Sequence, residues 1–147
     1  MWLLVIPIVI TGYAVVHDLK SREIPDSLSA LILILGLLAT NFSQSTITIW
    51  NAFAGMMIGF LLVLPFALRG GIGGGDLKLV SALGTWLGIA GTFSMLFWTS
   101  ITGMVFSIAV LAMGKQDLPY APAILCGLLM TLIFPDLLPA MIRFLQQ

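Results

Sequence analysis

The chain has 147 residues, of which 60% are hydrophobic and only 8% charged, and its mean hydropathy is +1.14. So little polar surface cannot coat a water-soluble globule, and an integral membrane protein is expected. A formal net charge of zero argues against a nucleic-acid partner, and a lone cysteine, Cys126, leaves neither an internal disulfide framework nor a paired-cysteine zinc site.

At about 20 residues per crossing the length suits one domain, residues 1–147, as an all-α bundle of about six transmembrane helices. Apolar runs place these at 2–17, 27–42, 49–68, 77–91, 92–113 and 122–142. The first run, MWLLVIPIVITGYAVV, lacks a basic leading region and an A-x-A cleavage pattern, so it reads as a retained helix. The connection after it carries Lys20 and Arg22, and the one after the second run, NFSQSTIT, carries no basic residue. Arg69 and Lys78 flank the glycine-rich stretch between the third and fourth runs. Only LGIAGT separates the fourth from the fifth, so five spans is the alternative to six; Lys115 lies in the next connection. Five of the six positive charges thus fall on one face, which the positive-inside rule makes cytoplasmic, with both termini outside and Arg143 the exception. The pairs in GMMIG (55–59) and GTWLG (84–88) read as close helix-packing contacts.

The chemistry is sought among the carboxylates. Asp18 closes the first predicted helix and Asp76 opens the fourth; two crossings lie between them, so both stand at the cytoplasmic boundary at similar depth. Two carboxyl groups in contact share a proton, one activating a water as base while the other protonates the carbonyl or leaving group, with no metal or cofactor. The dipole of a helix C-terminus should raise the pKa of Asp18 and that of an N-terminus should lower that of Asp76, making Asp76 the expected base. Gly70, Gly71, Gly73, Gly74 and Gly75 precede Asp76. They read either as a side-chain-free approach for an extended peptide or as a turn joining two helices, with Asp76 as a cap. The stretch fits neither the dinucleotide-binding nor the phosphate-loop pattern.

Gly73-Gly74-Gly75-Asp76-Leu77-Lys78-Leu79 resembles the GxGDxKL motif of the type IV prepilin peptidases, membrane aspartic proteases of the GxGD class. Asp18-Leu19-Lys20-Ser21-Arg22-Glu23-Ile24-Pro25-Asp26 is similar to their segment in which an aspartate is followed by an [IL]P pair, and Pro119-Tyr120-Ala121-Pro122 to the P-[FY]-[GA]-P that precedes their last span. The resemblance implies that Asp18 and Asp76 are the catalytic pair and that Gly73, Gly75 and Lys78 belong to the motif that meets substrate. It implies substrates that are prepilins or pseudopilins, cut at the inner face of the cell membrane between a short basic leader and an apolar helix. Long members of that family carry a cysteine-rich zinc-binding region and N-methylate the product. No such region is among these residues, so no methyltransferase activity is expected, and the likeness is to the short peptidases of tight-adherence (Flp) pili or to archaeal preflagellin peptidases.

Other polar residues read more plainly. Asp26 or Ser27 caps the second helix, with Asp26 the second choice as a catalytic acid. Lys78 either tunes the pair, meets an acidic group of the substrate, or snorkels to the interface. His17 reads as a satisfied interfacial residue, and without HExxH spacing it marks no zinc site. Glu23 and Asp117 read as loop charges, Asp136 lies toward the outer face, and Lys20, Arg22, Arg69 and Lys115 set orientation and hold lipid headgroups. A scaffold without catalysis and a small transporter are the competing classes; the transporter would need ionisable groups at the bilayer midplane, where these spans have few.

Overall fold

The computed structural model describes residues 4–21, 25–41, 47–112 and 120–135. Their secondary structure is helical, with no strand among the described residues: α1 (Val5–Ser21), α2 (Asp26–Ala39), α3 (Ile49–Leu68), α4 (Gly74–Ala112) and α5 (Ala121–Ile133). Arg22, Glu23, Lys115, Asp117, Pro119, Asp136 and Arg143, together with the expected continuation of the last helix over 136–142, lie outside the described residues. The 20-residue α3 and the 39-residue α4 are long and apolar enough to cross a membrane. Outward-facing side chains stay apolar on several helices, as with Val9 and Val16 on α1, Ile34 and Leu38 on α2, and Phe53 and Leu61 on α3. Helices that are apolar on every side suit a hydrocarbon surround.

α4 is the spine of the fold, and it is broken once. Gly88 has φ 64° and ψ −169°, a conformation open essentially only to glycine, so the helix divides into arms over 74–87 and 89–112. The expected boundary between the fourth and fifth helices, at 91–92, therefore falls at Gly88. Breaking the ladder frees backbone donors at the start of the second arm. Asn51 of α3 takes one of them, its Oδ1 accepting from the Ile89 N–H at 2.9 Å, and Thr92 Oγ1 donates to the Gly88 carbonyl at 2.6 Å.

Glycines let the other helices reach this spine. Gly55 of α3 meets Gly84 and Gly88 backbone to backbone; a Cβ on Gly55 would lie 2.7 Å from the carbonyl carbon of Gly88. Gly59 lies one turn on, against the Val80 carbonyl, so both small-residue pairs pack α3 on α4. On α2, Gly36 faces Thr85 and Trp86, and the Trp86 Nε1–H donates to the Ile32 carbonyl at 2.8 Å. On α5, Gly127 faces Thr99 and the Met95 carbonyl. Ile32, Leu79, Leu83, Met95 and Leu128 fill the resulting core. α1 packs against α5 and α2, and its buried stripe Thr11, Ala14, Val15 and Asp18 follows the i, i+3, i+4, i+7 spacing of one helix face. That stripe turns Asp18 inward.

Candidate active site

The glycine-rich stretch is first of all a pair of helix caps. Gly70 takes φ 74° after α3; its N–H donates to the Ala67 carbonyl and the Gly71 N–H to the Phe66 carbonyl, both at 3.0 Å. This is a Schellman closure, in which glycine at the left-handed position spares the Cβ strain. Gly73 then caps α4, its carbonyl accepting from the Leu77 N–H at 3.2 Å. The Asp76 carboxylate folds back to accept from the Gly73 N–H. That is the reciprocal half of a capping box, with Asp76 at the third helical position. A Cβ on Gly73 would stand 3.2 Å from Asp76 Oδ2, so glycine gives the carboxylate room to turn. The turn reading thus accounts for Gly70, Gly71 and Gly73, and Asp76 is not itself the cap. Gly74 is exposed and Gly75 half-buried in the first turn of α4.

Asp18 comes from the last turn of α1 and meets the start of α5. The free N–H of Ala121, in the first turn of that helix, donates to its carboxylate. Pro122 follows and has no N–H to satisfy, so Asp18 supplies a cap that no residue of the α5 start provides for itself. Asp18 and Asp76 are each only 8% exposed, and the Asp18 charge acts on Asp76. Asp18 Oδ2 and Asp76 Oδ1 are buried with no hydrogen-bond partner among the described residues.

Both carboxyl groups stand in terminal turns, Asp18 in the last turn of α1 and Asp76 in the first turn of α4. Burial pushes Asp18 above its ordinary value, opposed by the Ala121 N–H and by His17. Burial, and then the negative charge of Asp18, push Asp76 up to about 6, with the Gly73 N–H opposing. The expectation that a helix N-terminus would lower the pKa of Asp76 is therefore overturned. The dipole contribution is on the order of 1 kcal/mol and is outweighed by desolvation beside a like charge.

Lys78 does not reach this pair. Its Nζ donates to both carboxylate oxygens of Asp26 at 2.7 Å, tying the start of α2 to the start of α4. Asp26 makes no side-chain cap on α2, whose N-cap is Pro25, so its expected capping role is replaced by this ion pair. His17 is bonded to Ser21, whose Oγ lies 2.7 Å from His17 Nδ1. Sequence reasoning missed the Ala121 donor, the Asp26–Lys78 pair and a cavity of about 670 Å³ with Asp76 in its wall. The Tyr120-Ala121-Pro122 motif was a signal for the first, since a proline after the opening residue leaves one helix N–H in need of an acceptor.

The type IV leader peptidase family matches the chain over residues 4–108. A prepilin leader peptidase/N-methyltransferase of Bacillus subtilis is 32% identical over 128 residues, 82% of this chain and 51% of that protein. One from Neisseria gonorrhoeae is 30% identical over 114 residues, 73% of this chain and 40% of that protein. A type 4 prepilin-like proteins leader peptide-processing enzyme of Escherichia coli is 29% identical over 121 residues, 78% of this chain and 45% of that protein. The chain spans about half the length, or less, of these relatives. No solved structure matches it. The family match covers α1 to α3 and most of α4, including both buried aspartates, and the chain belongs to the type IV leader peptidase family.

Proposed function

We propose that the chain is an aspartic endopeptidase that removes the short leader from prepilin-like precursors, using Asp18 and Asp76 to activate one water. The observation that carries this reading is a pair of buried carboxyl groups from distant helix ends, the charge of one acting on the other, each keeping one oxygen free, with Asp76 in the wall of an apolar cavity. Asp18, oriented by the Ala121 N–H, takes a proton from the water as it attacks the scissile carbonyl. Asp76 gives its proton to the carbonyl oxygen, forming a tetrahedral diol. Collapse of the diol returns a proton from its hydroxyl to the pair and delivers one to the leaving amine, so both groups end as they began. Gly73, Gly74 and Gly75 lie alongside with backbone accessible to an extended peptide, which fits a role in holding the leader. Lys78 acts through Asp26 in setting how α2 and α4 meet.

The same reading places six spans in the cytoplasmic membrane. The two arms of α4 count as the fourth and fifth, both termini lie outside, and the carboxyl pair opens to the cytoplasm. Lys20, Arg69 and Lys78 on the face of the pair support that orientation. The test is reconstitution: the purified chain in liposomes is incubated with a precursor bearing a leader and an apolar helix, and the products are weighed by mass spectrometry. Release of the intact leader in one cut supports the reading. An uncut precursor under conditions where a known family member cuts it rejects the reading.

A further inference from the structure

The cavity beside Asp76 is larger than a water and two carboxyl groups require. It lies between the end of α3, the two arms of α4 and the start of α5, with Phe66, Phe97, Met104 and Ile124 among its apolar walls. Asp76 is the one charged side chain in that wall among the described residues; it is 8% exposed, and its Oδ1 has no hydrogen-bond partner among them. On the second arm of α4, Ser100, Gly103 and Ser107 line the cavity at i, i+3 and i+7, one face of the helix.

Gly103 is the informative position. At Gly55, Gly84 and Gly127 a Cβ would strike a neighbouring helix, and packing explains the glycine. At Gly103 a Cβ would meet only the Cβ of Ala123, at 3.8 Å, an ordinary contact. Its backbone is helical, where glycine is a poorer choice than alanine. Neither neighbours nor backbone call for glycine there, and Gly103 is among the residues that line the cavity.

We propose that this cavity is the subsite for the apolar residues that follow the cleaved bond, and that Gly103 sets how large they can be. The inference rests on the peptidase reading above, under which the bond must lie against Asp76. A chain passing into the cavity must be apolar, because a charged residue would lose its hydration against Phe66, Phe97 and Met104. A basic residue would find one partner, Asp76, and occupy the acid that the reaction needs. The basic leader therefore leaves by the exposed glycines on the water side, and the apolar side of the bond enters the cavity.

The test uses the full chain in liposomes, with two precursors that carry either leucine or alanine at the first two positions after the bond. Gly103→Leu and Ser107→Leu are compared with wild type, and a thermal melt checks that each is folded; if Gly103→Leu fails to fold, Ser107→Leu decides. The ratio of kcat/KM for the leucine over the alanine precursor should fall roughly tenfold or more in each folded variant, carried by KM. An unchanged ratio overturns the inference, including the case in which both precursors lose equally because a lipid chain, not the substrate, fills the cavity. Wild type that cuts neither precursor, or Asp76→Asn that cuts both, overturns the peptidase reading instead.

Discussion

Each aspartate is held by one backbone donor, and the two donors belong to different helix starts, Gly73 before α4 and Ala121 in α5. Replacing Asp18 by alanine removes the acceptor for Ala121 and should cost about 1 kcal/mol of stability, as losing a helix cap does, whereas Asp18→Asn keeps an acceptor and should cost less. Thermal melts of the two variants make the comparison. Burial pushes Asp76 up as it does Asp18, and this links the stability of the fold to pH. Its carboxyl keeps a proton up to about pH 6 in the fold but loses it near 3.8 when unfolded. Below pH 3.8 both states are protonated and the group costs nothing; as pH rises toward 6 the unfolded chain ionises first and stability falls, and above 6 the full cost is present. Asp76→Asn removes that cost, so the variant should melt above wild type at neutral pH and level with it below pH 3.8. A gap that does not narrow with acidification would contradict burial as the cause. The motifs made these residues legible in the sequence, but not their proton affinities. The helix dipole can be read from position in a helix, whereas burial beside a like charge depends on α1 and α4 having met.

α4 carries its break at one residue, and the elements around it are fitted to that break. Gly88→Ala combines a left-handed φ with a Cβ 3.0 Å from the Asn51 amide, and should destabilise the fold by about 1–3 kcal/mol. Asn51→Ala should cost about 0.5–1.5 kcal/mol by removing the acceptor of the Ile89 N–H, and the two effects should not add, because both act on one junction. Denaturation of the single and double variants in detergent measures this. At the other end of the arm, Asp26 and Lys78 are 73% and 53% exposed, so their ion pair contributes under about 1 kcal/mol. Reversing either charge should lower stability by that small amount and reversing both should recover it, which a double-mutant cycle reads directly. The small-residue pairs made close helix packing legible, though not which helices meet, and LGIAGT marked a division between the fourth and fifth predicted helices. The Asn51 contact and the Asp26–Lys78 pair were not legible, since each joins residues from separate elements whose register only packing fixes.

Across the whole molecule, composition alone pointed to a helical membrane protein, and counting crossings predicts that Asp18 and Asp76 share one face. What the folded chain adds to that count is that both are buried and that the charge of Asp18 acts on Asp76. With Cys126 replaced by serine, a cysteine at Asn41 should react with an impermeant maleimide added outside the cell and one at Arg69 should not; the reverse pattern would overturn the orientation. The cavity was illegible because its walls come from α3, both arms of α4 and α5, and no local pattern links Phe66 to Gly103. The central claim is that two carboxyl groups act on one water, and its most direct test is the initial rate of precursor cleavage by Asp18→Asn and Asp76→Asn, each verified as folded. Each should lose roughly 100- to 10,000-fold in kcat. A folded variant of either kind that cuts at the wild-type rate would contradict it.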